Sequence, residues 1–292
     1  MTAVAEVDLI EEPPRSNARR VVRRFMRNRA AVVGLVIVTL FVLVALLAPL
    51  LAPFDPLKTN WLTVRKPPTA AHWLGTDDLG RDALSRLMWG ARASLMAGVI
   101  SVFIAFVIGV PIGLLSGYVG KWFDSAVMRV VDALLAVPFL ILAIALAAFL
   151  GPSLTNAMIA IGVSAAPLFA RLARGQTLVV KVEEYVEAAR AIGASHWLIL
   201  ARHIFPNTLP PLLVQATLSI ATAIIAEAAL AFLGLGQQAP APSWGSMLNT
   251  ARSFLVQAPW MAVWPGIAIF LTVLGFNLLG DGLHDALDPK DE

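Results

Sequence analysis

Asp77, Asp78 and Asp82 stand close enough in sequence to suggest metal ligands. Carboxylates this close in sequence could converge on a divalent cation. They also stand beside Arg81 and Arg86, at the start of a helical stretch with Leu84, Leu87 and Met88 as its apolar members. Capping by Asp77 or Asp78, with pairing to the two arginines, accounts for the pattern, and no metal site is assigned. His72, His196, His203 and His284 are scattered over different segments and form no ligand cluster. Glu227 is the single clear ionisable residue within an apolar run, and Asp132 lies at the edge of another. An acid in such a place is a functional candidate by default, so both are carried as pathway or gating residues. For Glu227 a structural reading, with a helix contact or water satisfying the carboxylate, stays open beside it.

The motifs of self-contained catalysis are missing. Gly120-Lys121 is followed by Trp122 and lacks the preceding glycine of a phosphate-cradling loop. Neither G-x-S-x-G nor H-E-x-x-H occurs, and with no cysteine there is no thiol chemistry, disulfide or thiolate metal site. No catalytic residue and no cofactor is assigned to the chain.

These residues sit in a sequence of 292 residues that is 58% hydrophobic and 14% charged, a balance that a bilayer accepts and water does not. Apolar runs at 30–53, 93–115, 133–150, 154–170, 212–234 and 260–280 predict six membrane-spanning helices. Pro111, Pro138 and Pro265 are tolerable inside such helices, and Gly109, Gly113 and Gly117 at four-residue spacing would allow close helix approach. With the N-terminus inside, the inner segments carry seven, two, five and one Lys plus Arg, against six and one outside. The excess of positive charge inside predicts an N-in, C-in topology. The first run is too long for a signal peptide and reads as an uncleaved span. The arginines of residues 1–29 then orient the chain rather than bind nucleic acid.

Topology places Val182–Asn207, VEEYVEAARAIGASHWLILARHIFPN, in the cytosol between the fourth and fifth spans. It reads as two short helices joined at Gly193 and ended by Pro206, with Glu187, Arg190, His196 and Arg202 exposed. Ala189, Gly193 and Ile199 also fit a DNA-binding helix-turn-helix. The acidic first helix, the apolar second one and the flanking spans argue against that. A secondary transporter is disfavoured by the scarcity of membrane carboxylates.

EAARAIGASHWLILARHIFPN resembles the EAA loop of binding-protein-dependent ABC importer permeases: Glu187, Ala188, Ala189, Gly193 and Pro206 match in register. His203 and Phe205 stand where Ile and Leu are usual. RRFMRNRAAVVGLVIV, HWLGTDDLGRDALSRLMWGARASL, ALAFLGLGQQAPAPSWGSML and LTVLGFNLLGDGLHDALDP are similar to the C-type permease of the dipeptide, oligopeptide and nickel group. His284 replaces the usual Arg of the last motif. The resemblance implies an all-α membrane protein with the type I ABC importer transmembrane fold. It comprises a cytosolic segment 1–29, a first span 30–53, an extracytoplasmic loop with an amphipathic helix 54–92, a five-span permease core 93–280 and a cytosolic tail 281–292. The loop at 182–207 would be a coupling element docking on an ATPase through Glu187, Ala188, Ala189, Arg190, Gly193 and Pro206, with the alanines keeping the face flat. Implied partners are a homologous second permease, two cytosolic ATPase subunits that hold ATP and Mg, an extracytoplasmic solute-binding protein and the lipid of a bacterial inner membrane. Peptides are the expected solute, with nickel complexes, glutathione and opine-like solutes as alternatives.

Overall fold

The computed structural model describes residues 17–287, so parts of the expected inner segments (1–16 and 288–292) lie outside the described residues. Asn28 separates the first two helices, α1 (Asn17–Arg27) and α2 (Arg29–Leu51). Its side chain accepts hydrogen bonds from the backbone N–H groups of Ala30 and Ala31, satisfying donors that a helix start leaves free. α2 has 23 residues and so is about 35 Å long, enough to cross a bilayer. Val33, Val36, Leu40, Leu43 and Leu47 form its outward face, an apolar stripe suited to lipid.

Segment 54–82 is folded rather than loose. Asp77 accepts hydrogen bonds from the Leu79 and Arg81 backbone N–H groups and from Arg81 Nε at 2.6 Å, and it pairs with Arg86 Nε at 3.2 Å. Arg86 in turn donates to the Pro56 and Pro240 carbonyls, which fastens the segment to a distant loop. The expected aspartate–arginine pairing is present, but the cap is Asp82, not Asp77 or Asp78. Asp82 accepts from the Ser85 N–H at 2.8 Å, because Asp77 is already held by the arginines. Among the described residues no cluster of three or more His, Asp or Glu could hold a metal ion.

From that cap, α3 (Ala83–Val119) runs unbroken for 37 residues, merging the expected amphipathic helix and second span into one rod that carries Pro111 within it. Gly109 and Gly113 lie against α6 (Leu154–Val180) so closely that a Cβ would come within 2.3 Å of the Ala166 carbonyl and 2.2 Å of the Ala170 carbonyl. This is the most extensive helix pair in the chain and bears out the small-residue spacing.

The expected span 133–150 is not one helix. α4 (Lys121–Ala136) and α5 (Phe139–Leu150) meet at 91° across Val137 and Pro138. Proline lacks an N–H and pushes the preceding residue out of the helical region, and Val137 is extended with φ −82° and ψ 128°. Among the described residues five helices are long and apolar enough to cross a membrane, namely α2, α3, α6, residues 196–232 and α11 (Trp260–Leu287), and the bent pair, counted as one broken span, makes a sixth. The all-α, six-span architecture therefore stands, with one span broken.

The two larger buried clusters hold most of the helices together. One joins α3, α5 and α6 to residues 186–230 through Phe169, Ile161, Ile199, Ile204 and Leu212. The other surrounds Trp244 of α10 (Trp244–Ala251), with Ala91, Leu95, Ile224 and Phe276.

Candidate functional site

Lys181 ends α6, and the chain turns into α7 (Glu184–Ala191), an eight-residue helix standing beside the ends of the spans. Val186 and Ala189, three positions apart, share one face and enter the main buried cluster, which roots α7 on the spans. Glu187, Ala188, Arg190 and Ile192 are exposed, Ile192 by 85%. The two alanines therefore part company. Ala188 belongs to the outward face, whereas Ala189, 5% exposed, is internal packing and not part of a flat docking surface.

Gly193 ends α7 with φ +80°, the left-handed region that glycine enters without a Cβ penalty. Its N–H donates to the Arg190 carbonyl and the Ala194 N–H to the Ala189 carbonyl, both at 3.0 Å, the paired bonds of a Schellman ending. Ser195 then starts the next segment by accepting from the Leu198 N–H. Gly193 is the expected joint.

Beyond the joint, the expected short second helix is replaced by a longer element. α8 (His196–Leu198) passes through a π-helical turn, Ile199–Ile204, directly into α9 (Phe205–Phe232). Pro206 does not end the pattern; it sits at the start of α9. In an α-helix its ring would press on the carbonyl four residues back, and the wider turn before it removes that conflict. The His203 carbonyl is taken up by Asn207 Nδ2 at 2.6 Å.

The loop also grips α3. The Tyr118 hydroxyl and His196 Nδ1 share a hydrogen bond of 2.7 Å, and the Arg190 guanidinium lies 6.0 Å from the centre of the Tyr118 ring. Lys181 Nζ donates to the Gly117 carbonyl at 2.7 Å. A cleft of about 520 Å³ lies here, lined by Tyr118, Arg190, His196, Trp197 and their neighbours.

Glu187, Ala188, Arg190 and Gly193 thus lie together on the protruding element, with Pro206 further along, in the rod beyond the joint. Glu227 and Asp132 are elsewhere. Glu227 is fully buried and accepts from Ser94 Oγ at 3.1 Å, while Ser94 Oγ accepts from the Trp244 N–H at 3.2 Å, so α9, α3 and α10 meet there. Asp132 is exposed and ion-paired with Arg171 of α6. Residue spacing alone does not mark Ile192 or Trp197 as exposed members of this element, nor Tyr118 as its contact on α3. The chain has two tyrosines, and one at the end of a long span is the available signal for Tyr118.

The family of binding-protein-dependent transport system inner membrane components matches residues 109–290, and the N-terminal TM domain of oligopeptide transport permease C matches residues 16–68. The chain belongs to the binding-protein-dependent transport permeases. The permease is 48% identical to the dipeptide transport system permease protein DppC of Alkalihalophilus pseudofirmus, over 93% of this chain and 90% of that one. It is 50% identical to the glutathione transport system permease protein GsiD of an Escherichia coli strain, over 92% and 89%. It is 45% identical to the probable D,D-dipeptide transport system permease protein DdpC of E. coli, over 96% and 94%. Inward-facing structures of the MetNI methionine ABC transporter share its fold, with a TM-score of 0.55, 24% identity and coverage of 70% of this chain and 98% of that one. These relatives are transport permeases, and the chain is a permease subunit of the ABC importer class rather than an enzyme.

Proposed function

We propose that this permease forms, with a homologous second permease, the inner-membrane pathway of a dipeptide or oligopeptide importer. The observation that carries the reading is 48% identity to a dipeptide permease over nearly the whole of both chains. Two cytosolic ATPase subunits hold ATP and Mg, an extracytoplasmic binding protein delivers the peptide, and residues 182–207 face the ATPases from the cytosol with both termini inside. The protruding α7, exposed at Glu187 and Ala188 and fixed at Val186 and Ala189, supports that role, because an anchored knob passes on force where a loose loop does not. Glu227 would act by keeping α9 seated on α3 and α10 as the bundle changes state, and Asp132 by its accessible pair with Arg171.

A second reading, glutathione as the solute, is favoured by the 50% identity to glutathione permeases. Uptake by the full complex in proteoliposomes separates the two. ATP-dependent accumulation of radiolabelled alanyl-alanine, undiminished by excess glutathione, is expected; accumulation of glutathione alone would replace the peptide reading. The chain purified by itself is expected to hydrolyse no ATP, and recovery of the complex without ATPase subunits would overturn the importer assignment.

A further inference from the structure

We infer that Tyr118 is a positioning residue, through which the two arms of the loop joint act on α3. The inference rests on the coupling role proposed for residues 182–207. Three neighbouring residues stand in the last turn of α3, and each is held differently. Ser116 Oγ donates to Asp124 of α4 at 2.6 Å, and the Gly117 carbonyl accepts from Lys181 at the end of α6. Tyr118 alone of the three reaches both sides of Gly193: Arg190 lies before the joint and His196 after it.

The placement has a mechanical consequence. α7 is short and ends where Gly193–Ser195 interrupts the helical hydrogen bonding, whereas α8 is continuous with α9. A tilt of α7 relative to α8 changes the separation of Arg190 and His196, and Tyr118 is in contact with both. α3 is closely packed on α6, with no space for even a methyl group at Gly109 or Gly113, and such contact resists sliding of one helix on the other. Displacement at Tyr118 is therefore handed to α3 and α6 as a unit, in line with the discrete rearrangements of closely packed helices.

The test uses the complete importer (both permeases, the ATPase subunits and the binding protein) in proteoliposomes. The readouts are ATPase subunits recovered with the permease, ATP hydrolysed, and alanyl-alanine accumulated per ATP. Should the unmodified complex carry glutathione instead, the ratio is read with glutathione, because Tyr118 has no part in solute choice. Tyr118→Phe keeps the ring and removes the hydroxyl. It is expected to leave ATPase recovery and hydrolysis unchanged and to lower solute per ATP about three- to tenfold, the loss of one hydrogen bond. His196→Ala should do the same, and the double variant should add nothing further. His196→Asn places a polar atom near the position of Nδ1 and should restore most of the ratio. An unchanged ratio in Tyr118→Phe would overturn the inference, as would a fall in ATPase recovery that parallels the fall in uptake. Failure of the coupling reading itself would show differently, as absence of ATPase subunits from the unmodified complex.

Discussion

Asp124 and Arg174 face each other squarely: Arg174 Nε and Nη2 donate to the two carboxylate oxygens of Asp124, each at 2.6 Å. The planar guanidinium matches the carboxylate in a two-point contact that lysine could not reproduce. It ties α4, the first arm of the broken span, to α6, and Ser116 of α3 joins through one of the same oxygens. Asp124→Ala is expected to cost about 1–3 kcal/mol, because it removes charge-assisted hydrogen bonds and strands the Arg174 cation. Arg174→Lys should recover only part of the loss. Thermal unfolding in detergent reads both, and wild-type midpoints would show that water substitutes for the pair.

At Gly193 the penalty lies in the backbone alone, since no atom lies within 4 Å of an added Cβ. Gly193→Val forces a β-branched residue to φ +80° and is expected to cost about 1–2 kcal/mol at the joint. Gly193→Asn, which tolerates that region better, should be nearly silent. Recovery of ATPase subunits should fall several-fold in the valine variant, with membrane insertion intact. Equal recovery for both variants would mean that the joint geometry is irrelevant to docking.

Gly113 poses the opposite problem, with permissive backbone and no space. Gly113→Leu should separate α3 from α6 and abolish a monodisperse product, and Gly113→Ala should already cost about 1–3 kcal/mol through overpacking. An alanine variant of undiminished thermal midpoint would contradict the closeness of the two helices.

The aspartates of segment 54–82 divide by role. Asp82, with its side chain 2% exposed, holds the start of α3 and also meets His72 Nδ1 at 2.9 Å. Asp78 meets Arg81 at 3.3 Å and is 25% exposed. Asp82→Ala is expected to destabilise by about 1–2 kcal/mol and to open segment 54–82 to protease, whereas Asp78→Ala should cost under about 1 kcal/mol. Equal protease sensitivity would refute the assignment of the cap.

The spans were legible because hydropathy records which segments leave water, and the loop was legible because its residues recur at fixed spacing. Hydropathy says nothing of axis direction, so the bend at Pro138 was hidden inside a run that reads as continuous. Three aspartates capable of capping stood within six positions, and the choice among them was made by Arg86, whose other contacts lie 30 and 154 residues away. Which alanine of the EAA sequence turns inward depends on the rotation of α7 against Ile199 and Val180. Tyr118 and His196 are 78 residues apart, and a bond across that distance leaves no local mark.

The π-helical turn at Ile199–Ile204 sets the phase of everything beyond it. A turn of this kind holds one residue more than an α-helical turn, equivalent to a rotation of about 100° in the rest of the helix. Removal of a single residue from Ile199–Ile204 would let the turn relax to α-helix with α9 kept in phase, whereas relaxation at unchanged length would swing α9 by that angle. Glu227 would then leave Ser94 for another quadrant, and Leu213 and Ile225, which now face outward, would turn into the bundle. Six residues at the mouth of the span thus act as its angular index.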